Sequence, residues 1–98
     1  MAAGLIVVVL AVIPLEGRAA FQEYERAVLP LLKDFGAALE RRLRNEDGTR
    51  EMHIVRFPTK ASFETYRADP RRVGYAHLLR SSGAEMDLTI AHDVREAD

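Results

Sequence analysis

The chain has 98 residues, 48% of them hydrophobic and 30% charged, with 14 Lys+Arg against 15 Asp+Glu for a formal net charge of −1. That length fits a single domain over residues 1–98, and the charge balance supplies no positive field to gather a polyphosphate, so a nucleic-acid binder is not expected. The absence of Cys excludes disulfides, thiolate zinc sites, iron–sulfur clusters and a cysteine nucleophile, and it is compatible with a cytoplasmic setting.

Met1 to Leu15 carries no charge, but Pro14 and Glu16 cut the run short of the ~20 apolar residues a spanning helix needs. No Lys or Arg precedes Arg18, so a secretory signal is not expected either. The run is instead rich in β-branched residues, which suit a pleated sheet, and it predicts a central strand over Leu5–Ile13 with Leu5, Val7 and Val9 on one side and Ile6, Val8 and Leu10 on the other. After Pro14 the period changes. Phe21, Tyr24, Val28, Leu31, Leu32 and Phe35 recur at helical spacing and predict a helix from Gly17 to Asp34, kinked or broken at Pro30 and ended by Gly36.

Ala37–Arg44 consists of good helix formers, yet Asp47-Gly48 is a hairpin signal and Glu51–Phe57 reads as a strand, so Ala38–Asn45 is taken as the hairpin's first strand. Thr59 and Asp69-Pro70 are helix starts, predicting pieces over Lys60–Arg67 and Pro70–Arg80. Met86, Leu88 and Ile90 alternate with Asp87, Thr89 and Asp93, a half-exposed strand over Met86–Val94. The core therefore spans about residues 5–94, followed by a polar tail, Arg95–Asp98.

The order βαββαβ is that of an α+β, ferredoxin-like fold, with a four-stranded antiparallel-type sheet and its helices on one face. Right-handed crossovers put strands one and three at the centre, expected here as a parallel pair, with strands two and four at the edges. The far side of strand one is then a row of Val, Leu and Ile that nothing in its own chain covers. A second copy packed sheet to sheet is the simplest cover, giving a homodimer.

The segments Phe21-Gln22-Glu23-Tyr24-Glu25, Leu29-Pro30-Leu31-Leu32, Phe35-Gly36, His53-Ile54-Val55-Arg56-Phe57-Pro58 and Phe63-Glu64-Thr65-Tyr66-Arg67-Ala68-Asp69-Pro70 resemble a small bacterial family of unknown function. That family is similar to the dimeric α/β-barrel superfamily, whose best-known branch is the antibiotic-biosynthesis monooxygenases. The likeness covers about Leu5–Val94, and Ala37 stands where the family pattern commonly has a second glycine. It implies a dimeric α/β barrel whose sheets enclose a cavity, which in characterised branches holds small aromatic or polyketide substrates, or haem. It carries over no catalytic residue.

The candidate site residues follow from the elements. His53, on strand three, serves as a general base or substrate anchor if it faces the cavity, and otherwise as a packed core histidine, the preferred reading. Arg56 points to the opposite face from Val55 and Phe57, toward the barrel, and needs an anionic partner from the protein or from a ligand. His92 lies near the end of strand four, and its neighbour Asp93 points the other way, so the two form no dyad. Tyr24 and Tyr66 sit on inward helix stripes as core rings with hydroxyls at a rim. His77 is expected at the surface, and Arg41, Arg42 and Arg44 are read as a charged edge strand.

The three His lie on separate elements without ligand spacing, so no metal is expected, and no proximal haem ligand stands out. Phosphate loops and nucleophile elbows are missing as well, so no cofactor is expected. Two functions remain: an uncharacterised homodimeric module that binds a small organic ligand, or a cofactor-independent monooxygenase or isomerase acting on a small aromatic or polyketide-like molecule, lined by His53, Arg56 and His92.

Overall fold

The β-branched run near the amino terminus forms strand β1 (Leu5–Val12) in the computed structural model, which describes residues 4–94. The polar tail Arg95–Asp98 lies outside the described residues. A 3-10 turn, Leu15–Gly17, leads into helix α1 (Arg18–Val28). Because Pro30 has no N–H for the α-helical ladder, the chain tightens there into a 3-10 segment, Leu29–Phe35, that ends at Gly36 with φ +69°. The break falls where the proline places it.

Strand pairing overrides helix propensity in the next segment, which is strand β2 (Ala38–Arg44). The hairpin turn has Gly48 at φ +77°, and the Asp47 carboxylate accepts the Thr49 N–H at 3.1 Å. Strand β3 (Arg50–Phe57) follows. Helix α2 (Lys60–Ala68) is capped by the Thr59 hydroxyl, which accepts the Ser62 N–H at 3.0 Å, and α3 (Pro70–Gly74) by Asp69, which accepts the Arg71 N–H at 2.8 Å. The expected helix over Pro70–Arg80 is interrupted at Tyr75, just after the weak helix former Gly74, and resumes as α4 (Ala76–Ser82). Strand β4 (Glu85–Ala91) is shorter than the period-2 pattern suggests. Among the described residues no helix is long and apolar enough to cross a membrane.

The four strands run in the order β2-β3-β1-β4. β1 and β3 form the centre as expected, but they are antiparallel rather than parallel. The crossover through α1 makes β1 and β2 parallel, and β3, tied to β2 by a hairpin and inserted between them, must run the opposite way.

Register fixes two faces. Val7, Val9 and Ala11 of β1 stand level with Val55, His53 and Glu51 of β3 under the helices, and with Ile90, Leu88 and Met86 of β4, which share that face but stay exposed at the sheet edge. The other face carries Ile6, Val8, Leu10 and Val12 beside Arg56, Ile54, Met52 and Arg50, and there Leu10 and Val12 are 42% and 46% exposed. A bulge between Leu39 and Arg41 inserts Glu40 as an extra residue in β2. The bulge brings Arg42 opposite His53 and Arg44 opposite Glu51.

Under the helices the core divides into two clusters. One gathers Val7, Leu32, Val55, Phe57, Phe63 and Tyr66, and the other Ala11, Ile13 and Phe21 with Leu79 and Ala84 packed against it.

Candidate functional site

Two inward-facing patterns each contain a charged residue where an apolar one would be the default. On α1, Glu25 occupies the stripe of Phe21, Tyr24 and Val28; on β3, Glu51 and His53 alternate into the same layer as Val55 and Phe57. All three are buried, with exposures of 2%, 4% and 5% for Glu25, Glu51 and His53.

The three side chains converge. His53 Nε2 lies 2.9 Å from Glu25 Oε2 and 2.9 Å from Glu51 Oε1. The angles favour the Glu51 contact as the hydrogen bond, which leaves Glu25 Oε2 buried without a hydrogen-bond partner. The other carboxylate oxygens are held by β2. Arg42 donates to Glu25 Oε1 at 2.8 Å and Arg44 to Glu51 Oε2 at 2.6 Å, with longer cross-contacts from Arg42 to Glu51 at 3.5 Å and from Arg44 to Glu25 at 3.7 Å.

The protonation of the cluster follows from this geometry. Burial raises Glu25 above the usual carboxylate range, and the neighbouring Glu51 reinforces it against the opposing pull of His53 and Arg42. Burial would also raise Glu51, but bonds from Glu25, His53 and Arg44 outweigh it and hold Glu51 at about 2. Burial pushes the His53 imidazole down, and the two carboxylates more than reverse this, leaving it above its ordinary 6.5. Glu25 is thus pushed toward its protonated form, Glu51 is held ionised, and His53 is pushed toward the imidazolium.

One ligand atom from each of Glu25, Glu51 and His53 lies within 4.8 Å of the other two, and such oxygen and nitrogen donors suit a divalent transition metal. Charge argues against such an ion. Arg42 and Arg44 already set two positive charges against the two carboxyl groups, and a divalent ion would add a large uncompensated charge at a buried point.

Beside the cluster, a cavity of about 270 Å³ opens between helices and sheet, with walls drawn from both core clusters. Its lining is mostly apolar and includes Val9, Phe21, Phe57 and Leu88; its polar members are Glu25, His53, Tyr24, Tyr66, Arg67 and Arg72. Burial raises the Tyr66 hydroxyl above 10, which keeps it a neutral donor near neutrality.

Of the residues proposed from sequence, His53, Tyr24 and Tyr66 meet at this cavity, while Arg56 and His92 stand apart. Arg56 is on the opposite face of the sheet, and its partner is a protein carboxylate: Nε donates to Glu40 at 2.9 Å, with Asp93 at 3.9 Å. His92 lies beyond the end of β4 and is exposed, as is His77 on α4. Arg42 and Arg44, read as edge-strand charges, in fact clamp the buried carboxylates. Glu25, Glu51 and Arg72 were not singled out, although the helical and strand periods already set both glutamates facing inward.

No protein-family model matches the sequence, and no curated protein sequence matches it. Solved structures do match the fold. A protein from Nitrosomonas europaea provisionally named an antibiotic biosynthesis monooxygenase superposes with a TM-score of 0.76 at 14% identity, over 93% of this chain and 99% of its own. The cofactor-independent oxygenase SnoaB of Streptomyces nogalater gives 0.64 at 19% identity, over 97% and 99%. A NIPSNAP-family protein of unknown function from Agrobacterium tumefaciens gives 0.62 at 14% identity, over 98% and 96%. The chain has the ferredoxin-like α/β architecture of these proteins.

Proposed function

We propose that this protein is a homodimeric, cytoplasmic module that binds a small organic molecule between its helices and its sheet. The observation that carries the reading is the gap of about 270 Å³ between the two core clusters, apolar on most sides and bordered by the Glu25–His53 end of the ion cluster. Protein interiors pack without voids of this size, and a mostly apolar pocket with a few convergent polar groups is the usual form of a ligand site. Self-association is supported by the other sheet face, where Leu10, Val12 and Leu43 are each more than 40% exposed.

The test is titration with a neutral aromatic probe, 1-naphthalenemethanol, followed by its fluorescence. Val9 lies on the cavity wall in β1, beside His53 and Leu88. Val9→Phe fills the space and is expected to abolish binding while leaving the circular dichroism unchanged; unaltered binding by a folded Val9→Phe protein refutes the site.

The coupled Glu25–His53–Glu51 protons support a second reading, in which the cavity carries out proton transfer on its guest, as a cofactor-independent oxygenase or isomerase requires. Here Glu25 Oε2, the carboxyl oxygen without a hydrogen-bond partner, would be the exchanging atom, and His53 would hold it in place. Glu25→Gln then removes turnover of an acidic aromatic substrate, read as oxygen uptake or product formation, without weakening its binding. Turnover retained in Glu25→Gln excludes that role.

A further inference from the structure

We infer that the guest of this cavity is an organic monocarboxylate, whose carboxylate is held by Arg72. The inference rests on the cavity being a ligand site, as proposed above.

Arg72 lines the cavity from α3, with its guanidinium carbon 5.0 Å from the centroid of the Tyr66 ring. One terminal nitrogen donates to the Arg67 carbonyl at 3.4 Å, but Nε is fully buried and finds no acceptor in the protein. A desolvated N–H without an acceptor is a standing cost that an incoming oxygen would relieve.

The arginines that stand beside the buried and sheet-face carboxylates are satisfied. Arg42 and Arg44 are held by Glu25 and Glu51, and Arg56 by Glu40. In the corner around Arg72, Asp69 and Asp34 are both taken by Arg71 at 3.0 Å. Among the described residues, neither Arg72 nor Arg67, which also lines the cavity with its guanidinium 5.5 Å from the Phe63 centroid, forms an ion pair. The unmet Nε of Arg72, with the exposed Arg67 adding positive charge beside it, points to an anionic group on the guest.

The geometry narrows the class of anion. A guanidinium edge matches the two oxygens of a carboxylate, whereas a dianionic phosphate would need more donors than this apolar wall provides. A cationic guest gains nothing at the other polar end, because Arg42 and Arg44 already set two positive charges against Glu25 and Glu51. The volume of about 270 Å³ leaves room for an aromatic or branched aliphatic body of on the order of a dozen non-hydrogen atoms.

The experiment compares 1-naphthoate with its neutral isostere 1-naphthamide by calorimetric titration at pH 7, on the wild-type protein and on Arg72→Gln. Naphthoate is expected to bind wild type about 10- to 100-fold more tightly than naphthamide, with this preference falling to near unity in Arg72→Gln because naphthoate loses far more affinity than naphthamide. Retained naphthamide binding also shows that the variant is folded. Equal affinities in wild type, or a preference that survives Arg72→Gln, overturn the carboxylate inference and leave the cavity reading standing. Binding of neither probe to wild type overturns both.

Discussion

Replacing the two buried glutamates by glutamine, one at a time, separates the roles that the structure gives them. Glutamine is close in shape to a protonated glutamic acid and differs from an ionised one by the full charge. Glu51 is held ionised, at about 2, by Arg44 at 2.6 Å and by His53 at 2.9 Å, so Glu51→Gln strips the anion from two cationic partners. Removing one member of a buried ion pair costs about 3–5 kcal/mol. The Arg42 and Arg44 side chains are 39% and 40% exposed and recover part of this by rehydration, which brings the expected loss to about 2–3 kcal/mol. For a domain of this size that corresponds to a fall in Tm of roughly 10–20 °C. Glu25 is raised instead, so its ionised form is already disfavoured by folding, and in Glu25→Gln the amide oxygen can still accept from Arg42. Glu25→Gln is therefore expected to cost less than about 1 kcal/mol. Urea unfolding at pH 7 and one fixed protein concentration measures both variants. A Glu25→Gln loss equal to or larger than that of Glu51→Gln refutes a raised Glu25 beside an ionised Glu51.

The same cluster sets a pH profile. The lowered Glu51 contributes stability above about 4.5 that is lost as pH falls toward about 2, while the raised His53 contributes stability that is present below 6.5 and lost as pH rises through its folded-state value. The raised Glu25 likewise loses its contribution as pH climbs above 4.5, so unfolding free energy should peak in mildly acidic solution and decline above pH 6.5. His53→Gln should flatten the alkaline decline, and a profile identical to wild type contradicts the imidazolium. Two glycines give opposite expectations: a Cβ on Gly17 would sit 1.8 Å from the Ser82 carbonyl oxygen, whereas nothing lies within 4 Å of one on Gly74. Gly17→Ala should force α1 and α4 apart and lose more than about 3 kcal/mol, and Gly74→Ala should gain up to about 1 kcal/mol, both read by thermal melts. Leu10→Glu places a charge at the centre of the open sheet face and should convert a species of twice 11.0 kDa into one of 11.0 kDa by light scattering; an unchanged mass places the self-association elsewhere.

The elements and the sidedness of the sheet were legible because each rests on a local rule. Period-2 alternation put Val55 and Phe57 under the helices and Arg56 away from them, and Pro30, Gly36, Thr59 and Asp69 act within one turn of where they stand. The same alternation, carried two residues back from Val55, also turns His53 and then Glu51 inward, and the stripe of α1 turns Glu25 to meet them. What the spacing does not contain is their meeting. That depends on which strand lies beneath α1, on the antiparallel course of β3, and on the depth at which the helix crosses the sheet.

The arginine clamp depends on still less visible detail. Without the extra residue at Glu40, simple register would set Arg41 opposite His53 and Leu43 opposite Glu51 and turn Arg42 and Arg44 to the open face, leaving two buried carboxylates with one guanidinium on their side instead of two. A strand read as a charged, aggregation-resistant edge thus becomes the counter-ion supply of the core through a one-residue slip. The cavity is non-local in the same way. Val9 and Tyr24 are ordinary inward positions and Leu88 a half-open one on the edge strand, and only the spacing of two packed clusters leaves the volume between them empty of side chains. Local chemistry therefore names the residues that can face the site, and the long-range register decides which charges they find there.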